Sequence, residues 1–361
     1  MPERADVVLC GTGSFAARIL FDLAATAPRD LSIIVVGRNA FRAAWLRTAG
    51  AARAAMFDTG VRVSERGVDT LSIDRVAALL SEVRPRLVVN AASAQGGRVS
   101  PVRPDGWTRF EQEGGLGVTA ILQARLSLDI SRAVAATRPQ PHFVNCCYPD
   151  VVNGMIAAAG LPIACGIGNV AILAHAFAGL LGPGHGRLQL LAQHTALAAF
   201  RHRQAERTCK IAPRVWLDGR ELDDVHHRFA AVQLPPEPAI DISGASGVPL
   251  FVAMVAGEDW RGYVPGPGGL PGGYPVALRN DAIALDVPAD LTRQEAIGWN
   301  AASEEPDGVV VGTDGRGRYT GRVEATMCAA SPDLAAGFAM RDFAEADRAL
   351  THLRARLREQ V

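Results

Sequence analysis

Through residues 1–149, runs of consecutive apolar residues alternate with segments whose apolar positions recur every three or four residues. Uninterrupted runs suit strands buried on both faces, and the periodic segments suit helices covering them, so the order predicts a parallel sheet wound with helices on each side. The expected strands are 6–10, 32–36, 60–63, 86–90 and 141–146, with helices at 75–83 and 117–136 among others. The alternation breaks at 92–106, which holds Gln95-Gly96-Gly97-Arg98 and then Pro101, Arg103 and Pro104. That composition suits a mobile loop. It follows the C-terminal end of a strand, the edge where open α/β sheets bind ligands, so a lid is expected there.

Beyond residue 149 the texture changes. Helices are expected from Asp150 and over 169–181, then a strand over 187–192 leading to His194. Asp218-Gly219 tolerates the positive φ of a tight hairpin turn. A helix over 243–257, a Pro/Gly loop over 264–273, strands at 274–278 and 282–287, and a helix from Leu291-Thr292 follow. A hairpin of 308–311 with 318–323 and an exposed helix from about Asp342 end the chain. The expected fold class is thus α/β, a doubly wound parallel sheet over 1–149 followed by an α+β substrate domain over 150–361, with an extension from about 303.

The first strand leads into Gly11-Thr12-Gly13-Ser14-Phe15-Ala16, a G-x-G-x-x-A turn opening a helix within a βαβ unit. The first glycine permits the tight turn, the second lets the backbone approach a pyrophosphate, and Ala16 allows close helix-on-strand packing, as in a Rossmann dinucleotide clamp. The free N–H groups and dipole at the helix start favour an anion. Where NAD-binding clamps carry an acidic residue at the end of the second strand, this chain reads Gly37-Arg38-Asn39. An arginine there pairs with a 2′-phosphate that a carboxylate would repel, so NADP is expected over NAD. Asn90-Ala91-Ala92 after the fourth strand completes the cofactor candidates.

Charge narrows the partners. With 37 basic and 37 acidic side chains, the 361-residue chain advertises neither nucleic acid nor an anionic membrane, so a small-molecule substrate is expected. No apolar run is long enough to span a bilayer and the start has no signal-peptide pattern, which points to the cytoplasm. Cys10, Cys146, Cys147 and Cys165 fall in or beside expected strands without metal-ligand spacing, and read as buried reduced thiols. Lys210, the only lysine, lies in a polar stretch unsuited to Schiff-base chemistry.

The motifs beyond residue 141 resemble the lactate/malate dehydrogenase superfamily. Asn145-Cys146-Cys147-Tyr148-Pro149-Asp150 is similar to that family's Asn-Pro-x-Asp, with two extra residues. Gly166-Ile167-Gly168-Asn169, then Gln193-His194, then Tyr274-Pro275-Val276 and Leu291-Thr292-Arg293-Gln294-Glu295 follow in the family's order. The resemblance covers roughly the first 300 residues. It implies an oligomeric two-domain dehydrogenase in which Arg98 and Arg103 take the lid positions, Asn145 lies near the nicotinamide, and His194 is the acid/base. Two departures stand out. Counting from Gly166-x-Gly168, the aspartate that orients the catalytic histidine falls on Ile172, and the arginine that grips the substrate carboxylate falls on His175. Isoleucine cannot stabilise an imidazolium, and imidazole cannot match both carboxylate oxygens. An ordinary 2-keto acid is therefore not the expected substrate.

Together these features point to NADPH-dependent reduction, or the reverse oxidation, of a C=O or C=N bond in a specialised metabolite. Arg98 or Arg103 would polarise the acceptor, His194 would donate the proton, and His175 is a second candidate. His202, His226 and His227 stand among charged residues and read as surface. Two alternatives share the same features: an epimerase or lyase retaining its nicotinamide, and a non-catalytic nucleotide-binding subunit.

Overall fold

The structure, a computed structural model, describes residues 4–68, 72–95, 104–202, 211–236 and 238–360, with only the backbone at 306 and 307. Six parallel strands form the main sheet: β1 (Val7–Cys10), β2 (Leu31–Gly37), β3 (Val61–Gly67), β4 (Leu87–Asn90), β5 (His142–Asn145) and β6 (Cys165–Gly166). Their order is β3-β2-β1-β4-β5-β6. The winding reverses between β1 and β4, and that switch point opens a crevice outside the C-terminal strand ends.

Strand alternation divides the sheet between two cores. Val8, Cys10, Ile34, Val36, Val88 and Phe143 face one, beneath α3 (Ile73–Val83), α5 (Ala120–Ala136) and α6 (Pro149–Ala158). Val7, Leu9, Ile33, Val35, Leu87, Val89 and Val144 face the other, with α1 (Ser14–Thr26), α2 (Ala40–Met56) and the helix Val248–Ala256. Burying one such side chain stabilises by about 1.5–3 kcal/mol, so the strands are held from both sides. The thiols of Cys10 and Cys147 are buried as expected, and burial pushes both up to about 12.

Beyond the sheet, β7 (Leu188–Leu191), α8 (Ala196–Ala199), β8 (Arg214–Leu217) and β9 (Arg220–Glu221) follow, packed on α7 (Val170–Leu181). Asp218 (φ 51°) and Gly219 (φ 77°) make the expected tight turn. Several expectations need correction. The 243–257 helix is two, Ile240–Ser246 and Val248–Ala256, divided at Gly247 with a proline in the first turn of the second. The Pro/Gly loop yields its first part to β10 (Trp260–Pro265), an edge strand of a sheet with β11 (Gly273–Arg279) and β12 (Ala282–Leu285). β13 (Val309–Val311) pairs with β14 (Arg316–Tyr319), and residues from Gly321 turn into the helix Gly321–Ala330. His226 is buried, edge-on to Phe200 at 5.7 Å.

The helix Phe343–Arg358 is not simply exposed. It buries Phe343, Ala346, Leu350 and Leu353, and with Val309, Tyr319, Val323 and Met327 it completes the core beside α5 and α4 (Gly106–Gly114). The C-terminal extension thus packs on the helices that cover one face of the parallel sheet. Among the described residues no helix is long and apolar enough to cross a membrane.

Candidate functional site

The turn after β1 has the shape its sequence requires. Gly11 has φ 129°, its N–H donates to Val36 O at 2.8 Å, and a Cβ there would stand 2.9 Å from the Ala91 carbonyl carbon. Only glycine fits between β1 and the end of β4. Gly13 differs: among the described residues, chain neighbours aside, nothing lies within 4 Å of where its Cβ would be. Gly13 and Ser14 are exposed, and the first N–H groups of α1 border this open space without a side-chain cap. A diphosphate fits that cradle by charge and by room. Phe15 leans into the core beside the fully buried Ala16.

Arginines mark the far end of the cradle. Arg38 is exposed immediately after β2. Arg42, not singled out from the sequence, donates from Nε to Thr12 O at 3.3 Å, so its guanidinium lies beside the glycine turn. A register of hydrophobic positions gives no hint of that contact, because it joins the first turn of α2 to a loop 30 residues earlier. Asn39 serves the helix: its side chain accepts from Arg42 N at 2.9 Å, capping α2.

His194 lies at the end of β7 and has the partner the sequence comparison had denied it. The Asp150 Oδ2 atom accepts from His194 N at 2.7 Å and stands 3.2 Å from the His194 Nδ1. Asp150 Oδ1 accepts from Asn169 Nδ2 at 2.9 Å. A carboxylate here only accepts, so Nδ1 carries the ring proton towards Asp150. The Asp150 side chain is 0% exposed and that of His194 16%. Burying a carboxylate is costly unless it is well hydrogen-bonded. Three donors and a place in the first turn of α6, where the dipole favours negative charge, offset that cost.

The correction is therefore that Ile172 is not where the orienting carboxylate resides; it is buried on α7, and Asp150 does the work from α6. The backbone is bent to bring this about. Tyr148 takes the left-handed conformation (φ 45°, ψ 56°) just before Pro149, and Asn169 has φ 47° and ψ −107°. Non-glycine residues in such regions cost about 1–3 kcal/mol each and persist where the surroundings over-determine them. Here both flank the same carboxylate. Tyr148 also packs its ring edge-on to His194, centroids 5.1 Å apart at 84°.

The remaining candidates fall elsewhere. Asn90 and Asn145 are fully buried in a polar chain: Asn90 Nδ2 donates to Ser127 Oγ (3.0 Å), Ser127 Oγ to Asn145 Oδ1 (2.9 Å), and Asn145 Nδ2 to Asn153 Oδ1 (2.9 Å). Asn153 in turn donates to Gly266 O at 3.0 Å. These amides tie β4, α5, β5 and α6 to the loop after β10, and so hold Asp150 in place from below. Ala91 and Ala92 border the crevice after β4, with the Ala92 N–H donating to Asn90 Oδ1 at 3.0 Å. His175 is exposed on α7, edge-on to Tyr263 with centroids 6.2 Å apart. Arg98, Arg103 and Lys210 lie outside the described residues.

A six-stranded parallel sheet of this order, followed by antiparallel sheets and a histidine at a strand end, defines the dehydrogenase-type two-part α/β fold. Solved structures with that fold are the lactate dehydrogenase from Eimeria maxima with NADH and oxamate (13% identity, TM-score 0.54, 84% of this chain and 93% of that one) and the minor L-lactate dehydrogenase from Enterococcus mundtii (15%, 0.53, 84% and 96%). The malate dehydrogenase of Cryptosporidium parvum is similar as well (14%, 0.51, 83% and 96%). The chain therefore has the lactate/malate dehydrogenase fold, as its motifs led us to expect. No family model and no curated protein matches it in sequence.

Proposed function

We propose that the protein is an NADP(H)-dependent oxidoreductase that reduces a C=O or oxidises the corresponding alcohol, or does the same with C=N, on a small molecule. The observation that carries this reading is the Asp150–His194 pair, a buried carboxylate holding one ring nitrogen of a histidine just beyond β7. The cradle at Gly11–Gly13 fits a dinucleotide's diphosphate, and Arg38 with Arg42 fits a 2′-phosphate. When bound, the nicotinamide supplies or accepts hydride.

The chain's own residues manage the proton. His194 donates from Nε2 to the oxygen or nitrogen that gains charge as the carbon is reduced, and takes the proton back in the reverse direction. Asp150 keeps the ring in the Nδ1–H form and stabilises the imidazolium from which donation occurs, the role a buried carboxylate plays towards histidine in acyl-transfer triads. Asn169 fixes the second carboxylate oxygen.

The substrate differs from a simple 2-keto acid. With His175 exposed against Tyr263, α7 offers no guanidinium fork for a carboxylate beside the carbonyl. A retained Asp–His pair speaks against a purely non-catalytic binding subunit. The test is a screen of aldehydes, ketones and cyclic imines with NADPH, read by nicotinamide absorbance, in the parent and in His194→Gln. A substrate turned over by the parent and slowed about 10²-fold or more by the substitution supports the role; equal rates would remove His194 from it.

A further inference from the structure

A cleft of about 420 Å³ opens at the end of the main sheet opposite the crevice, between the starts of β5 and β6 and the β11–β12 hairpin. Phe143, Ile163 and Ile283 line it with apolar surface, and His142, Asp281 and Gln140 add polar groups. Small-ligand sites have that size and that mixture. The length of β5 alone puts about 10 Å between His142 here and Asn145 at the crevice end.

Backbone donors are scarce around this cleft. Pro141 and Pro162 in its wall have no N–H. His142, Ala164 and Gly268 donate theirs to Arg86 O (2.9 Å), Phe143 O (2.8 Å) and Ala164 O (2.9 Å). A ligand that needs donors from the wall is therefore poorly served, and one that brings its own is well served.

Asp281 is the acceptor for it. It stands in the tight turn of the hairpin, with φ 61° after Asn280 at 48°. Its Oδ1 and Oδ2 lie 3.3 and 3.4 Å from Arg86 Nη2, and its side chain is still 52% exposed. Arg86 is shared with a second site: a Cβ on Gly257 would stand 3.3 Å from the same nitrogen. The guanidinium thus also lies at the C-terminal end of the helix Val248–Ala256, where the dipole favours a cation. An exposed pair of that kind is worth little, so another cation competes for the carboxylate. His142 Nε2 is 3.8 Å from Asp281 Oδ1, long for a hydrogen bond. Burial holds the ring below its ordinary value against the pull of Asp281, so the imidazole does not neutralise the acid.

We propose that this cleft is a second ligand site that takes a small organic ammonium, its charged head on Asp281 and its apolar body against Phe143, Ile163 and Ile283. It lies at the strand ends that the dinucleotide does not use, and it stands whether or not the nucleotide reading does.

The test is titration of phenethylamine, phenethyl alcohol and hydrocinnamate, each by itself, into the nucleotide-free full-length protein. These probes share a body and differ in the head: cation, neutral hydroxyl and anion. The readout is the nitrogen-15 spectrum of the His142 ring, assigned by His142→Gln. The amine should displace it saturably, with an affinity about tenfold or more above that of the other two. Asp281→Asn, which the left-handed turn accepts as readily as aspartate, should weaken the amine about fivefold or more. Arg86→Met removes the competing cation and should tighten the amine about threefold, whereas a merely structural role for the pair would weaken it. No saturable displacement by the amine, hydrocinnamate bound as tightly as the amine, or amine affinity in Asp281→Asn within about twofold of the parent would each overturn the site. Should Asp281→Asn fail to fold, the direction of the change in Arg86→Met decides, and unchanged or weaker binding overturns it.

Discussion

Asp150→Asn isolates what the buried carboxylate does for His194. The oxygen that meets the His194 ring also accepts its backbone N–H at 2.7 Å, so in the variant that position must remain an oxygen. The ring therefore keeps its proton on Nδ1; the charge is lost, and the new amide nitrogen faces Asn169, whose side-chain amide must turn over to present its oxygen. At 3.2 Å a carboxylate attracts an imidazolium by about 5 kcal/mol at an effective dielectric of about 20, and by about 1 kcal/mol in water. With Asp150 fully buried and His194 partly open, a value near 3 kcal/mol is reasonable, which is about two pH units in the ring's titration or about 10²-fold in the rate of a step that uses the imidazolium. The assay needs no substrate. Nitrogen-15 spectra of histidine-labelled protein, with His194 assigned by His194→Gln, should show the Nδ1–H tautomer in both proteins and a titration midpoint displaced to lower pH in Asp150→Asn. A midpoint that does not move, or an Nε2–H tautomer in the parent, would refute the assigned pairing.

Three other outcomes are expected. Arg38→Ala and Arg42→Ala should each weaken NADPH about tenfold or more while leaving NADH nearly unchanged, the size of a lost charge-assisted contact to phosphate; equal effects on both nucleotides in fluorescence titrations would return the cofactor preference to NAD. Leu350→Ala, at a position with 0% exposure, should destabilise by about 2–5 kcal/mol in urea unfolding because it opens a cavity between the extension and α5, and a loss under about 1 kcal/mol would mean the extension is not part of the core. Burial holds His142 below its ordinary 6.5, against the opposing pull of Asp281. Its neutral form is thus the folded form, so the unfolded chain binds the extra proton first, and stability present above about 6.5 falls as the pH drops towards the lower folded value. His142→Gln should flatten that acid limb of the thermal midpoint, and an unchanged limb would assign it to other groups.

Much of the fold could be read from the chain because local pattern and tertiary role coincide there. Leu31–Gly37 and Leu87–Asn90 are apolar runs that do become central strands, and Gly11 and Asp218-Gly219 are used for the positive φ that their types permit. Trp260–Pro265 is not legible as a strand because Arg261, Gly262 and Pro265 have loop composition; an edge strand, paired on one side only, accepts such residues. The helix Phe343–Arg358 looked exposed because its polar residues outnumber its apolar ones, although the apolar ones share a face.

At the site the division is sharper. His194 stands out in the sequence because it follows the apolar run 187–192. Its partner could not, since the pairing spans 44 residues and depends on the left-handed turn at Tyr148, which swings Asp150 towards β7. Counting along a resembled motif looks for an aspartate at one position only, whereas the chemistry asks that some carboxylate reach Nδ1. Asn145 shows the converse. The resemblance places it near the nicotinamide, and the structure shows its amide donating to Cys147 O and Asn153 Oδ1.

The central claim, that a dinucleotide diphosphate lies against the turn after β1, is tested most directly by calorimetric titration of NADPH into the parent and into Gly13→Ala. Among the described residues, chain neighbours aside, nothing lies within 4 Å of the added methyl group, so the variant should fold with an unchanged thermal midpoint. The account predicts binding to the parent and an affinity at least about tenfold weaker in the variant, from displacing the close backbone approach of the second glycine. No heat with the parent, or equal affinity for both proteins, would contradict it.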